Sequence, residues 1–148
     1  MVQSTLHGRC LCGAVVVAIA APPGPLVYCH CGQCRKAAGA PFQAVLPFPA
    51  DRVDVRDPDR CLRAHAASPG KQRWFCGRCG SPIMSRRDGS DSVRIRAGIL
   101  DDLPADVGRA GHIFCADRAA WDIIDDGLPQ YPGYEPGRAH GERGERTP

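Results

Sequence analysis

The sequence lacks any apolar stretch long enough to cross a membrane. Its longest apolar run, Ala14 to Ala21, ends at Pro22 and Pro23, whereas a spanning helix needs about 20 residues. The N-terminal residues MVQSTLHGRC also lack the basic start, apolar stretch and small-residue cleavage site of a secretory signal. We therefore expect a protein without a transmembrane helix that resides in the cytoplasm.

Lysine is scarce, and no basic run is present. Lys36 and Lys71 are the only lysines among 19 basic residues, and 16 acidic residues are scattered among them. The formal charge of +3 is therefore spread along the chain, a distribution typical of a solvated surface. The sequence does not predict nucleic acid binding, and it carries no feature that indicates an oligomeric state.

The length and composition indicate one β-rich domain. A chain of 148 residues is too short for two domains of ordinary size. Its 17 glycines and 14 prolines favour short strands and many turns over long helices. We expect a single domain over residues 1–136 and a disordered tail over 137–148, where GRAHGERGERTP has no apolar periodicity.

Short β-forming segments lie between Pro, Gly and Asp residues. The predicted strands are 11–21, 26–29, 42–46, 53–56, 62–66, 71–75 and 92–97. In the last of these, Val93 and Ile95 alternate with Arg94 and Arg96, so the two arginines share one face. Helix is predicted for about one turn after Cys34 and one turn around 117–121.

Seven of the nine cysteines fall into three clusters. They are Cys10 with Cys12, then Cys29 with Cys31 and Cys34, then Cys76 with Cys79. A CxxCG turn brings two thiolates to one point, and the glycine relieves the backbone strain of the turn. Because cytoplasmic thiols stay reduced, these clusters favour metal binding over disulfides.

Zinc is the metal that such clusters predict, since it takes four sulfur or nitrogen ligands in a tetrahedron. The simplest partition joins Cys10 and Cys12 to Cys76 and Cys79 in a closed, structural site. Cys29, Cys31 and Cys34 then form a three-thiolate site with an open position, as a catalytic zinc requires.

Several alternatives stay open at this point. The thiols could form disulfides, a redox-active dithiol at Cys76 and Cys79, or an iron–sulfur cluster, although the spacings fit these less well. A fourth ligand could also close the second tetrahedron and make it structural. The candidate fourth ligands are His7, His30, His112 and Cys61.

The remaining candidate residues have simple expected roles. The His30 ring points away from the neighbouring metal and packs or forms a hydrogen bond. Arg35 either guides an anionic ligand or offsets the thiolate charge. Buried positions are expected for two cysteines and four aromatic residues, namely Cys61, Cys115, Trp74, Phe75, Phe114 and Trp121.

Several blocks in fixed order resemble one known family. The blocks GRCLCGAV, CHCGQCRKAAG, WFCGRCGSPI, AGILDD and HIFCADRAAWDIIDDGLPQY are similar to the glutathione-dependent formaldehyde-activating enzymes, a family that includes centromere protein V. The resemblance runs from about Gly8 to Tyr131. It implies a β-tent fold of small zinc-bound sheets with two zinc ions per chain.

The resemblance also implies site residues and an activity. It assigns Cys10, Cys12, Cys76 and Cys79 to a structural zinc and Cys29, Cys31 and Cys34 to a catalytic zinc. Arg35, Gly39, His112 and Trp121 match family positions without an assigned role. The implied reaction joins glutathione to formaldehyde, as a carbon–sulfur lyase acting in reverse.

Two competing functions remain at this stage. A non-enzymatic zinc module that binds protein or nucleic acid is the first, although the sequence has no basic run. The second is an enzyme that uses another thiol or aldehyde.

Overall fold

The computed structural model of the protein describes residues 5–137 and consists mainly of β-strands. Strand accounts for 41% and helix for 12% of the described residues, which confirms the mainly β prediction. The strands are β1 (Leu6–Arg9), β2 (Val16–Ile19), β3 (Leu26–Cys29), β4 (Gln43–Pro49), β5 (Val53–Arg56), β6 (Leu62–Ser68), β7 (Lys71–Cys76), β8 (Pro82–Arg87), β9 (Ser92–Arg96) and β10 (Arg109–Ile113). Within residues 5–137 the one α-helix is α1 (Gly32–Ala38), and the three 3₁₀ turns are Ala50–Arg52, Ala97–Ile99 and Cys115–Asp117.

The strands form two open sheets. A three-stranded sheet has the order β1-β2-β5, and a seven-stranded sheet has the order β10-β3-β4-β9-β8-β7-β6. Neighbouring strands are antiparallel except for β10 and β3, which run parallel. The two open sheets agree with the β-tent fold that the family resemblance implies.

The main hydrophobic core joins the two sheets. Val17 and Ile19 from β2 pack in one buried cluster with Leu46 and Phe48 from β4 and Ile95 from β9. Burying each such side chain contributes about 1.5 to 3 kcal/mol to stability. This cluster therefore holds one face of the large sheet against the small sheet.

The opposite face of the large sheet carries a second cluster. Successive side chains of a strand point to opposite faces, so Val45 leaves the main core and packs with Cys29 and Cys31. Ile113 from β10 and the neighbouring Phe114 complete this cluster. The second face is thus the one that holds three cysteines.

The predicted strands and helical turns differ from the structure in five places. Residues 11–15 form a turn, because the amides of Gly13 and Val15 bond to the Cys10 carbonyl and sulfur, so β2 begins only at Val16. Strands β1, β8 and β10 were not predicted; in β10, Gly111 interrupts the apolar pattern. The second helical turn is Cys115–Asp117 rather than 117–121.

The C-terminal segment 129–133 follows the outer edge of β10. The His112 amide donates to the Pro129 carbonyl at 2.8 Å, and the Tyr131 amide donates to the His112 carbonyl at 2.9 Å. The Phe114 amide donates to the Gly133 carbonyl at 2.9 Å. These bonds satisfy backbone groups that an edge strand would otherwise expose.

Within residues 5–137, no helix is both long and apolar enough to span a bilayer. The predicted tail at 137–148 lies, apart from Gly137, outside the described residues.

Gly8 lies where β1 meets the loop after β9. It bridges Leu100, and a Cβ at this position would lie 2.5 Å from the Ile99 carbonyl oxygen. We expect Gly8→Ala to lower the free energy of unfolding by about 2 kcal/mol, because the backbone must move to relieve the overlap. Urea unfolding measures this change.

Gly98→Ala is the matched control, since a Cβ there meets nothing within 4 Å. We expect it to change stability by less than about 0.5 kcal/mol. Equal effects of the two substitutions would contradict the proposed contact.

Candidate active site

Four cysteines from two sequence regions lie close together. The Sγ atoms of Cys10, Cys12, Cys76 and Cys79 all lie within 4.8 Å of one another. The Cys10–Cys12 sulfur distance is 3.6 Å and the Cys12–Cys76 distance is 3.8 Å. Four sulfurs around one zinc would be separated by about 3.8 Å. The four-thiol cluster therefore has the dimensions of a tetrahedral metal site.

Tight turns bring these thiols together. In the CxxCG turn, Gly80 has a φ of 81° and its amide donates to the Cys76 carbonyl at 2.7 Å. In the CxC pair, Leu11 is 86% exposed, so the middle residue turns outward as the spacing requires. Ser81 Oγ accepts a hydrogen bond from the Leu11 amide at 2.9 Å and thereby joins the two turns.

Ser81 also acts on the neighbouring thiol. Its Oγ lies 3.3 Å from Cys79 Sγ, and this hydrogen bond lowers the pKa of Cys79 to about 5. Sequence analysis missed Ser81, although its place directly after the CxxCG turn could have indicated it.

Three further cysteines surround the N-terminus of α1. Cys29 ends β3, Cys31 is the N-cap residue of α1, and Cys34 lies in the helix. Cys31 Sγ accepts a hydrogen bond from the Cys34 amide at 3.3 Å. The three sulfurs lie within 4.8 Å of one another, and all three residues are buried. We refer to this group as the three-thiol cluster.

The thiols of the three-thiol cluster differ in acidity. Hydrogen bonds with Cys29 and Cys31, together with the positive charge of Arg73, lower the pKa of Cys34. Hydrogen bonds with Cys31 and Cys34, together with burial, raise the pKa of Cys29. Cys34 is therefore the thiol of this group that ionises first.

The candidate fourth ligands make other contacts. His7 Nδ1 lies 3.1 Å from Asp102 Oδ2, on the surface. The His30 ring forms a hydrogen bond, as predicted: its Nε2 lies 2.8 Å from His112 Nδ1. Cys61 is buried in the main core, and over residues 5–137 no His, Asp or Glu atom joins the three thiols in one group.

The buried rings of His30 and His112 each contact an aspartate. His112 Nε2 is 2.8 Å from Asp126 Oδ2, a hydrogen-bond distance, whereas His30 Nδ1 is 3.6 Å from Asp122 Oδ2, an ion-pair distance. Burial, followed by the charge of His112, lowers the pKa of His30. These contacts connect the segment between Cys29 and Cys31 to the residues that follow Trp121.

A cavity of about 60 Å³ opens beside the three-thiol cluster. Cys29, Cys31 and Cys34 line its inner end, with apolar surface from Val45 and Ile113. The rest of the wall carries five cationic side chains from β7, β8 and β9, namely Lys71, Arg73, Arg87, Arg94 and Arg96. The cavity therefore combines soft sulfur donors with a strongly positive wall.

Two of these cations are buried beside the sulfurs. Arg73 is 7% exposed, and its Nη2 lies 3.7 Å from Cys34 Sγ. Arg96 is 4% exposed, and burial together with the charge of Arg73 lowers its pKa to about 10. Burial and Arg73 likewise lower the pKa of Lys71 to about 8. Burial is the larger cause of each shift, and the neighbouring positive charge of Arg73 adds to it.

Sequence analysis missed the role of this cationic wall. Lys71 alternates with Arg73 and Arg94 with Arg96, so each pair shares one face of its strand. The alternation of Arg94 and Arg96 was recognised, but its meaning depends on the strand register. Lys71 pairs with Arg87 across β7 and β8, and Ser85 pairs with Arg94 across β8 and β9.

Three residues that the sequence singled out have separate outcomes. Arg35 lies on α1 and is not among the residues that line the cavity, so its role as an anion contact stays a prediction. Trp121 is 69% exposed, and the prediction that it is a core residue is wrong. Phe114 is buried as predicted but also lines the cavity.

The comparisons with known proteins agree with this arrangement. A family model described as glutathione-dependent formaldehyde-activating enzyme matches residues 5–117. The crystal structure of a Rhodobacter sphaeroides protein is similar in fold, with a TM-score of 0.59 and 21% sequence identity. The similarity covers 72% of this chain and 98% of that chain.

Proposed function

Since the chain belongs to the glutathione-dependent formaldehyde-activating enzyme family, we propose that it joins an anionic thiol, glutathione, to formaldehyde. The reaction is that of a carbon–sulfur lyase acting in the direction of synthesis. The observation that carries the proposal is the three-thiol cluster at the inner end of a cationic cavity.

The donor chemistry of both clusters fits zinc. Thiolates are soft ligands, and tetrahedral sulfur sites favour zinc or iron–sulfur centres. Cys10, Cys12, Cys76 and Cys79 would hold one ion in a closed site, and Cys29, Cys31 and Cys34 would hold a second with one position open to the cavity. When bound there, zinc stabilises a substrate thiol as the thiolate at neutral pH.

The cationic wall supports an anionic thiol. Glutathione carries two carboxylates, and guanidinium groups bind carboxylates through charge-assisted, often bidentate hydrogen bonds. Lys71 and Arg87 pair across β7 and β8 and reach the cavity together. They would bind the carboxylates and direct the thiol toward the three-thiol cluster.

The reaction consumes only the two substrates. The thiol gives up its proton, and a sulfur lone pair attacks the carbonyl carbon of formaldehyde. The new S–C bond forms while the C=O π pair moves to the oxygen, which takes up a proton. The product is a hydroxymethyl thioether, and the reaction has no net change in oxidation state.

A cationic concave wall fits a small anion better than a nucleic acid. Phosphates along a nucleic acid are contacted by cations on an exposed face, whereas Arg73 and Arg96 are buried at the bottom of a cavity. Nine free cysteines also favour the reducing cytoplasm as the place of action.

The proposal predicts catalysis of a reaction that also proceeds spontaneously. We expect zinc-loaded protein to accelerate adduct formation from glutathione and formaldehyde by at least about 100-fold over the same protein with its three-thiol cysteines blocked. NMR exchange spectroscopy with ¹³C-formaldehyde measures this rate at equilibrium.

The matched control uses an uncharged thiol, 2-mercaptoethanol, which offers the same sulfur without carboxylates. We expect little acceleration with it, because Lys71 and Arg87 have no carboxylate to bind. Equal acceleration of both thiols would contradict the proposed thiol class, and no acceleration of either would contradict the enzymatic function.

A further inference from the structure

We infer that Arg73 and Arg96 form an anion clamp for the aldehyde oxygen, which becomes negatively charged as the thiolate attacks. The inference rests on the proposed function and adds to it two catalytic residues at the reacting atoms. Neither residue belongs to a cysteine motif.

The first observation is a set of hydrogen-bond donors without acceptors. Arg73 Nε and Arg96 Nε are buried and have no acceptor among residues 5–137, and the same holds for Gln43 Nε2. Buried polar groups are almost always paired, because an unpaired donor costs about 1 to 3 kcal/mol. Three unpaired donors in one region therefore indicate a site for an acceptor-rich ligand.

These donors are held in fixed positions. Arg73 Nη1 donates to Gln43 Oε1 at 3.2 Å, and Arg96 Nη1 donates to Ser85 Oγ at 3.2 Å. Neighbouring strands thus satisfy part of the hydrogen bonds of each guanidinium group, and both arginines still line the cavity. A clamp of this kind is preorganised, which is the property that stabilises charge developing in a transition state.

The second observation is an excess of positive charge. Three thiolates around one divalent metal would carry a net charge of −1, and a bound substrate thiolate would make it −2. Arg73 and Arg96 would balance this charge, and Lys71 adds a cation in excess of it to the same wall. Because burying an uncompensated charge is costly, the inner end of the cavity favours an additional anion.

Position decides which anion the clamp binds. Arg73 Nη2 lies 3.7 Å from Cys34 Sγ, so the guanidinium is next to the sulfurs themselves. The aldehyde oxygen is two bonds from the attacking sulfur, whereas the carboxylates of glutathione are much farther along its chain. The inner arginines therefore suit the oxygen, and the outer Lys71 and Arg87 suit the carboxylates.

The clamp would act in one step. As the thiolate forms the S–C bond, the π pair of the C=O bond moves to the oxygen, and the N–H groups of Arg73 and Arg96 donate to it. The oxygen then accepts the proton that the thiol released. In the reverse direction, the same donors stabilise the oxyanion before the S–C bond breaks.

Two inert ligands of equal shape test the clamp by binding alone. S-carboxymethylglutathione carries an anionic oxygen close to the sulfur, and S-carboxamidomethylglutathione is its neutral counterpart. We expect the wild-type protein to bind the anionic ligand about tenfold more tightly or better, as a charge-assisted hydrogen bond provides. Isothermal titration calorimetry measures both affinities.

Five variants assign this preference to residues. Arg73→Gln and Arg96→Gln are each expected to remove the preference for the anion and to lower turnover about 100-fold. Arg87→Gln removes an equal charge from the outer wall and is expected to weaken both ligands alike. Arg73→Lys and Arg96→Lys keep the buried positive charge. Circular dichroism and zinc content establish that each of the variants is folded.

The outcomes separate this inference from the proposed function. If the wild type binds both ligands equally, or if the preference survives in both arginine variants, the clamp is contradicted while the thiol assignment stands. If Arg73→Gln and Arg96→Gln weaken both ligands equally at unchanged turnover, the pair binds carboxylates and the clamp is contradicted. Binding of neither ligand contradicts the proposed thiol together with the clamp.

Discussion

Cys31→Ser is expected to lower turnover by more than about 1,000-fold while the protein remains folded. Loss of a residue that only contacts a metal ligand already lowers metal affinity or activity about 10- to 100-fold. In Cys31→Ser a thiolate ligand itself is lost. Elemental analysis should find the zinc content falling from two ions per chain to one. Circular dichroism should be unchanged.

Serine is the appropriate replacement because Cys31 has a second, structural role. Its Sγ accepts the Cys34 amide at the N-cap of α1, and serine is among the best N-cap residues. Cys31→Ala is the matched control, since it removes the cap together with the thiol. We expect the alanine variant to be about 1 kcal/mol less stable than the serine variant.

Two results would contradict this account of the site. Full activity in Cys31→Ser would exclude Cys31 as a ligand of the reactive centre. Retention of two zinc ions with activity lost would indicate that the thiol acts directly in the chemistry rather than through a metal.

Cys76→Ala is expected to abolish cooperative folding altogether. Cys76 is fully buried in the four-thiol cluster, and binding of a structural zinc contributes about 10 to 16 kcal/mol in small zinc domains. That amount is as large as the whole stability of an ordinary domain, about 5 to 15 kcal/mol. Near-UV circular dichroism and urea unfolding should show no cooperative transition.

Cys61→Ala provides the control for burial. Cys61 is 7% exposed and lies in the same hydrophobic cluster as Cys76, but it is outside the four-thiol group. We expect a loss of about 1 kcal/mol, the cost of a small cavity. A cooperative transition in Cys76→Ala close to that of Cys61→Ala would contradict a structural metal at this site.

Motifs with short spacing were predictable from the sequence. The CxxCG turn, the CxC pair and the three cysteines of 29–34 form their geometry locally, through turns and one helix cap. The partition into four and three thiols also followed from the sequence, because a tetrahedron needs two pairs of ligands. In the structure, the sulfur atoms within each group lie within 4.8 Å of one another.

Features that depend on strand register were not predictable. Arg73 reaches Gln43, 30 positions earlier in the chain, and His30 reaches His112, 82 positions later. A single alternating strand indicates that two arginines share a face, but it does not indicate which face meets the thiols. The cationic wall and the histidine pair therefore emerge only when the sheet order is known.

The two thiol clusters differ in the sequence separation of their cysteines, and so in the loops that must close when they form. The three-thiol cluster lies within one short segment, so its formation closes almost no loop. The contact between Cys12 and Cys76 joins positions 64 apart, and closing such a loop requires a large loss of chain entropy. High contact order makes this closure slow. The local cluster can therefore assemble early, whereas the four-thiol cluster forms late and completes the folding of the sheets.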